Sequence, residues 1–148
     1  MRINKYIGES GICSRREADK LIEEKRVTIN GSICELGALV RPGDIIAIDG
    51  VPIEEKNKKV YIAFNKPVGV ECTTNKRIPN NIINFIDYPK RIFPIGRLDK
   101  DSEGLILLTN DGDIVNKILN QKYENEKEYI VTVNKGIDTN FLKDMSKG

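Results

Sequence analysis

The sequence predicts an α+β protein built from two lobes that a charged segment joins. In the first 50 residues, apolar side chains repeat first with helical spacing and then with the period of two that strands show. Residues 54–59, Glu-Glu-Lys-Asn-Lys-Lys, are polar and aperiodic and predict a linker. After them, apolar stretches of strand-like composition alternate with short helical patterns, which is typical of an α+β domain.

Two short helices are predicted at the start of the first lobe. Ile3 and Ile7 share one helical face, and Gly11 suits the end of that helix. Ser14 and Glu17 have the spacing of a capping box, in which each side chain satisfies a free backbone N–H at the start of the second helix. The second helix is predicted to bury an apolar stripe whose residues are three and four positions apart: Ala18, Leu21 and Ile22.

A small sheet is predicted to complete the first lobe. The alternating pattern from Val27 leads into Asn30-Gly31, the strongest short signal for a β-hairpin. A Pro-Gly-Asp turn then precedes a strand predicted at residues 45–48. The first lobe is therefore predicted to be residues 1–50, with two helices and a hairpin sheet.

The second lobe, residues 60–148, is predicted to mix strands with short helices. Strands are predicted at residues 60–64, 70–74, 105–109 and 129–133. A short helix is predicted around Ile82, and Thr139 is predicted to cap the last helix. Asp111 is predicted to cap a helix between these two. The buried positions of that helix are predicted to be Ile114, Val115, Ile118 and Leu119.

The composition excludes several classes of site. The formal net charge is +2, so any nucleic-acid site must come from local clusters of Lys and Arg. The chain has no histidine, which removes His-based triads and His-containing zinc sites. The three cysteines lack metal-binding spacing and are odd in number, which predicts reduced thiols in a cytoplasmic protein. No apolar run, including the four residues 105–108, approaches the roughly 20 residues that a membrane-spanning helix needs, so no membrane partner is expected.

The strongest candidate for catalysis is the segment 96–105, Gly-Arg-Leu-Asp-Lys-Asp-Ser-Glu-Gly-Leu. It places Asp99 in a loop between two apolar segments, and loops held by rigid strands commonly carry catalytic groups. The spacing also mimics the opening of a calcium loop, but Asn110 stands at the twelfth position, where that loop needs Glu. A glycosidase-like pair of Asp99 with Asp101 or Glu103 stays open, because the sequence does not give their separation. The acids after Asp99 are otherwise expected to satisfy backbone groups of a tight turn.

This segment closely resembles the catalytic signature of RsuA-type ribosomal RNA pseudouridine synthases. The resemblance implies that Asp99 is the nucleophile, that Arg97 contacts RNA, and that no metal or other cofactor is required. The Lys-Glu-Tyr run ending at Tyr129 resembles the family strand whose tyrosine stacks on the flipped uracil. Lys66, in Lys-Pro-Val-Gly, resembles the family loop that shapes the substrate pocket. Residues 92–102 look most like the RluF branch, which modifies large-subunit RNA.

The first lobe resembles an S4 RNA-binding domain. The motifs that carry the resemblance are Ser-Arg-Arg-Glu at 14–17, Asn30-Gly31 and the turn at 42–44. Ribosomal RNA of the large subunit is the partner that the two resemblances imply. The same basic residues also fit an ordinary solvated helix face, which the charges alone do not distinguish. By position in the S4 pattern, the predicted RNA-binding residues are Arg2, Lys5, Arg15, Arg16 and Lys20, with Lys25 and Arg26 as further candidates.

Synthases of this family continue past a Met-x-x-Gly segment like that at 145–148 and carry an Arg-Gln-x-Arg-Arg motif, which is absent from these 148 residues. The chain is therefore expected to be a fragment, with an incomplete, mainly antiparallel catalytic domain that favours self-association. Its predicted division is an S4 domain at 1–50, a linker at 51–59 and the start of the catalytic domain at 60–148. The alternative hypothesis is a non-catalytic S4-type protein that binds ribosomal RNA and uses its second lobe only for docking.

Overall fold

The computed structural model describes residues 1–53, 58–120 and 128–147. Residues 54–57 of the predicted linker, the lysine of the Lys-Glu-Tyr run and residue 148 lie outside the described residues. The described residues form two separate hydrophobic cores, one made by residues 3–53 and the other by residues 62–108. Together with the helices and two antiparallel sheets, these cores confirm the predicted α+β class.

The two predicted helices of the first lobe are confirmed. Helix α1 (Ile3–Glu9) is followed by helix α2 (Arg15–Glu23). The capping box is present: the Ser14 hydroxyl accepts the Glu17 N–H at 3.2 Å, and the Glu17 carboxylate accepts the Ser14 N–H at 2.7 Å. Because the helices are amphipathic, their apolar faces meet in the first core. The fully or almost fully buried residues there include Ile3, Ile7, Ala18 and Ile22, with Leu21 partly buried.

The predicted hairpin sheet is also confirmed, as four short antiparallel strands in the order β2-β1-β3-β4. At the hairpin tip, Asn30 and Gly31 have φ angles of 51° and 81°. Two positive φ angles in succession are those of a type I′ turn, whose twist matches that of the strands it joins. The strands are β1 (Val27–Ile29), β2 (Ser32–Ile33), β3 (Ile46–Ile48) and β4 (Val51–Pro52).

A three-stranded antiparallel sheet forms the centre of the second lobe, in the order β5-β7-β6. The strands are β5 (Tyr61–Lys66), β6 (Phe93–Ile95) and β7 (Gly104–Thr109). Lys66 pairs with Gly104 and Ile95 pairs with Leu107, so the chain leaves β5 and β6 close to the point where it enters β7. The segments after Lys66 and after Ile95 therefore emerge at the same end of the sheet. The helices of this lobe are α3 (Ile82–Ile86), α4 (Gly112–Leu119) and α5 (Thr139–Met145).

The strand predicted at 70–74 is wrong. Only an isolated bridge between Glu71 and Asn81 forms there. The backbone groups that a ladder would use have other partners: the Val70 carbonyl accepts a bond from the Lys66 ammonium group, and the Glu71 carbonyl accepts the Ile82 N–H. These contacts come from residues that the local pattern does not include, so the alternating apolar residues do not by themselves produce a strand.

The strand predicted at 129–133 is wrong as well. The chain is irregular there, and Tyr129 and Ile130 are 78% and 95% exposed. A strand needs a neighbour for its backbone N–H and C=O groups. Within the described parts of the chain, neither sheet pairs with this segment. Apolar alternation was therefore not sufficient to predict a strand at this position.

Two predictions about helices also need correction. Asp138, not Thr139, caps α5, because its carboxylate accepts the Phe141 N–H at 2.7 Å. Asp111 caps α4 as predicted, but no residue of that helix is fully buried. Ile118 and Leu119, two of the positions predicted to be buried, are exposed.

Candidate active site and nucleic-acid interface

Asp99 lies in a cleft of about 520 Å³ at the end of the sheet where β6 leads into β7. That volume is in the range of small-ligand sites. Residues 71–74 form one wall, and residues 96–100 form the other together with Phe93 and Pro94. The Asp99 side chain is exposed, and its carboxylate has no hydrogen bond or ion pair with any residue that the structure describes. It is therefore free to meet a ligand that enters the cleft.

The backbone on both sides of Asp99 is held in place. On one side, Leu98 packs against the second core, and its N–H donates to the Cys72 sulfur at 3.5 Å. On the other side, the Lys100 carbonyl accepts the Gly69 N–H at 2.8 Å. Since both neighbours are anchored, the loop presents the Asp99 carboxylate from a fixed position, which is the preorganisation that a catalytic group needs.

Lys66 provides a second anchor beneath this loop. Its side chain is completely buried at the end of β5. The Nζ atom donates to the carbonyls of Val70 at 2.9 Å, Pro67 at 3.0 Å and Lys100 at 3.3 Å. Three acceptors match the three N–H donors of an ammonium group. Lys66 therefore joins the Lys-Pro-Val-Gly turn to Lys100, the residue after Asp99. The contact of Lys66 with substrate stays a prediction.

The structure brings together only part of the predicted catalytic set. Arg97 is exposed and lines the same cleft as Asp99. Lys66 lies behind the loop and not in the cleft lining. Tyr129 is absent from that lining and points to solvent. The roles of all four residues remain predictions, and the described conformation supports an Asp99–Arg97 site most directly.

The calcium alternative gains no support from the geometry. The segment after Glu103 is strand β7, not the helix that would follow a calcium-binding loop. Among the residues that the structure describes, no group of three or more carboxylates or thiols is arranged to hold a metal ion.

The first-lobe cations divide into two groups. Lys5, Arg15 and Arg16 line a groove between the lobes, whereas Arg2 and Lys20 are exposed outside that lining. The Lys5 ammonium group donates to Asp113 of α4 at 2.7 Å, and this bond raises the pKa of Lys5. It also ties α1 to the second lobe. Of the two further candidates, Lys25 is exposed, and Arg26 is already paired with Asp49 and Glu24.

Sequence analysis missed a second set of cations in this region. Lys76, Arg77, Lys90 and Arg91 come from two loops of the second lobe and line a cavity that faces the start of α2. They occur as two Lys-Arg dipeptides, each beside a proline-containing turn. That repeated dipeptide was the available signal, but the fold was needed to place the two loops side by side.

Asp111 forms a separate, structural cluster. Its carboxylate accepts bonds from the Lys59 ammonium group at 2.7 Å and from the Tyr61 hydroxyl at 2.8 Å, and it also caps α4. Burial alone would raise the pKa of Asp111, but the bonds from Lys59 and Tyr61 outweigh it and lower that pKa to about 2. The cluster fastens the start of β5 to α4 and lies outside the lining of the Asp99 cleft.

The described residues thus combine a first lobe with basic helices and a second lobe whose sheet presents the Asp99 carboxylate in a cleft. Comparison with known families agrees: residues 1–46 match the S4 domain, and residues 60–147 match the RNA pseudouridylate synthase family. The chain belongs to the RNA pseudouridylate synthase family, and the predicted resemblance to RsuA-type enzymes is confirmed.

Individual relatives are consistent with this assignment. The chain is 53% identical over 150 residues to the dual-specificity RNA pseudouridine synthase RluF of Escherichia coli, covering 100% of this chain and 52% of that protein. It is 42% identical to the ribosomal large subunit pseudouridine synthase B of Bacillus subtilis, covering 92% of this chain and 56% of that protein. A crystal structure of a pseudouridylate synthase is 32% identical, with a TM-score of 0.45, over 83% of this chain and 54% of that one. The chain thus spans about half the length of the curated relatives it matches.

None of the described helices is both long and apolar enough to cross a membrane.

Proposed function

We propose that the protein containing this chain isomerises a uridine of large-subunit ribosomal RNA to pseudouridine, with Asp99 as the catalytic carboxylate. The observation that carries the proposal is the intact signature loop, whose backbone is anchored on both sides while the Asp99 carboxylate is free in a cleft. The large-subunit target is supported by the similarity to the ribosomal large subunit pseudouridine synthase B of Bacillus subtilis. Because the chain spans about half of its relatives, the activity is proposed for the whole protein.

The reaction breaks the bond between N1 of uracil and C1′ of ribose and forms a bond between C5 and C1′. The proton on C5 is lost and N1 gains one, so the product is an isomer of the substrate. A carboxylate can assist without a metal or a nucleotide, either by attacking C1′ as uracil leaves or by removing a proton from C2′. Asp99 is proposed for either step. Arg97, exposed beside it, is proposed to contact the RNA, since a guanidinium group binds phosphate through paired hydrogen bonds.

The target base must leave its stack before it can reach Asp99, at a cost of a few kcal/mol. Stacking on an aromatic ring contributes about 1–3 kcal/mol and offsets part of that cost. Tyr129 is proposed for this role on its motif alone. Tyr129 is exposed and lies outside the cleft lining, so this role requires a different position of its ring in the RNA complex.

The first lobe is proposed to hold the RNA during this step. The proposed division is an S4 domain at 1–50, a linker at 51–59 and catalytic-domain residues at 60–148. The two separate cores support two lobes, but Val51 and Pro52 pair with β3 and Ile53 packs against the first core, so the first lobe extends to residue 53. Arg15 and Arg16 are the strongest candidates for phosphate contacts, because they are exposed and line the groove between the lobes. Lys5 is a weaker candidate, since its charge is already paired with Asp113.

The test is to map pseudouridine in ribosomal RNA from cells that lack the whole protein and from the same cells complemented with variants. Wild-type protein should restore one modified position, and Asp99→Asn should not, while its RNA affinity stays within about twofold. Asp101→Asn is the matched control, because Asp101 is an exposed carboxylate in the same turn. Restoration by Asp99→Asn would refute the catalytic assignment. A map unchanged by loss of the protein would favour the non-catalytic alternative.

A further inference from the structure

The groove between the lobes continues into the Asp99 cleft. It consists of two adjoining cavities of about 430 and 680 Å³, whose linings share Ser14, Thr74 and Arg91. The first cavity also shares Thr74 and Phe93 with the Asp99 cleft. We call the two cavities together the interlobe groove. A long, narrow ligand lying in it would reach Asp99 without leaving the protein surface.

Free positive charge lines the second-lobe wall of this groove. The side chains of Lys76, Arg77 and Lys90 are exposed, and within the described residues they make no hydrogen bond or ion pair. The Arg91 guanidinium group lies over the Phe93 ring at 5.4 Å from its centroid, at the junction with the Asp99 cleft. A cation held on an aromatic face keeps its charge available to a ligand.

The carboxylates of the groove do not cancel this charge. Asp113 and Glu9 both pair with the Lys5 ammonium group. The Glu17 carboxylate accepts the Ser14 N–H in the capping box and is also attracted to Arg91, so it offsets one further cation. The groove lining nevertheless holds seven Lys or Arg side chains against three carboxylates. Elsewhere, several cations already have carboxylate partners, as Arg26, Lys59 and Lys147 show. The groove therefore has a net positive lining that faces Arg15 and Arg16 on the opposite lobe.

Unpaired Lys and Arg along a groove favour an extended polyanion, because each phosphate they neutralise releases condensed counterions. We propose that the interlobe groove binds the sugar–phosphate backbone of the RNA beside the target uridine, with Lys76, Arg77 and Lys90 as phosphate ligands and Arg91 at the entrance to the Asp99 cleft. This inference rests on the proposed function, in that the substrate is RNA. It adds a binding wall on the catalytic lobe to the S4 surface.

The test measures binding of a fluorescein-labelled RNA stem–loop as a function of salt. The groove variant is Lys76→Gln/Arg77→Gln/Lys90→Gln. The matched control, Lys58→Gln/Lys135→Gln/Lys143→Gln, removes the same charge from exposed lysines that do not line the groove. If three single-strand phosphate contacts are lost, the slope of log affinity against log salt should fall in magnitude by about 2 in the groove variant. In the control variant, the magnitude of the slope should fall by less than half of the fall expected for the groove variant.

Lysine acetylation of the wild-type chain supplies a second readout that needs no substitution. Bound RNA should protect Lys76 and Lys90 from acetylation and leave Lys58 and Lys143 reactive. Circular dichroism checks that the variants fold, which is expected because the replaced side chains are exposed and make no hydrogen bond with a described residue.

The possible results distinguish a failure of the groove proposal from a failure of the proposed function. An unchanged slope in the groove variant, together with a flatter slope in Arg15→Gln/Arg16→Gln, would overturn Lys76, Arg77 and Lys90 as phosphate ligands and leave RNA binding by the first lobe intact. Equal loss in the groove variant and its control would also overturn the groove, because the effect would be one of total charge. Wild-type protein that shows no salt-dependent binding of RNA would overturn the proposed function and the groove together.

Discussion

Replacing Lys66 with methionine should destabilise the second lobe and loosen the loop that holds Asp99. Methionine has a similar length and fills the same buried space, so the substitution removes the ammonium group without opening a large cavity. The carbonyls of Val70 and Pro67 lose donors at 2.9 and 3.0 Å, and the Lys100 carbonyl loses one at 3.3 Å. The Val70 carbonyl is bound inside the core, where water does not replace the lost donor.

The expected loss in the free energy of unfolding is about 3 kcal/mol. A hydrogen bond from a charged donor contributes about 1.5–3 kcal/mol, and the two shorter bonds of Lys66 carry most of the effect. Removing a buried charge recovers part of that loss, because the ammonium group no longer has to leave water. About 3 kcal/mol is the low end of what breaking a buried charged network costs.

The assay is urea unfolding followed by circular dichroism, together with hydrogen exchange of the Gly69 amide, which bonds to the Lys100 carbonyl. Lys66→Met should lower the urea midpoint and speed Gly69 exchange by at least about tenfold, the equivalent of 1.4 kcal/mol. Lys143→Met is the control, since Lys143 is exposed on α5 and should change stability by less than about 0.5 kcal/mol. An unchanged midpoint with unchanged Gly69 exchange would refute the claim that the ammonium group anchors this loop.

Two further predictions concern the structural contacts on either side of the groove. Asp111→Asn should cost about 2 kcal/mol at pH 7, because a folded-state pKa of about 2 against an ordinary value of 3.8 corresponds to roughly 2.5 kcal/mol. Since the folded pKa is lowered, this stability is present above about pH 4 and is lost as pH falls towards 2, so urea unfolding should show wild type and variant converging at low pH. Asp144→Asn, at a carboxylate 74% exposed, should show no such convergence. In the same assay, Ser14→Ala should destabilise the first lobe by about 1 kcal/mol, because it removes the hydroxyl that caps α2. Ser14→Thr keeps a hydroxyl and should cost less. Equal losses in the two variants would show that the capping bond is unimportant.

Features that depend on neighbours in the chain were predicted correctly. The capping box joins residues three apart, and the Asn-Gly turn requires only two adjacent residues that tolerate positive φ. The burial of Ile3 and Ile7 follows from the spacing of one helix face. The position of Asp99 in a loop between β6 and β7 was equally visible, because both flanking strands are strongly apolar.

The errors occur where distant residues decide the outcome. Residues 70–74 have an alternating pattern, yet their backbone bonds to Lys66 and to the start of α3 instead of to a strand. Residues 129–133 also alternate, but no described strand pairs with them. Alternation predicts which side chains could face a core, whereas strand formation also requires a partner backbone.

Local patterns are enough to identify the family, the α+β class, the helix start at Ser14 and the loop that carries Asp99, because each depends on residues close together in the chain. The folded protein alone reveals that Lys66 is a buried anchor with three carbonyl partners. It also reveals that the dipeptides at 76–77 and 90–91 share a groove with the basic start of α2. Burial and clustering of charge arise when segments far apart in the chain pack together, so they are not visible in a local pattern. A local pattern shows which residues carry charge, and the packing decides which of those charges find a partner and which stay free to bind a ligand.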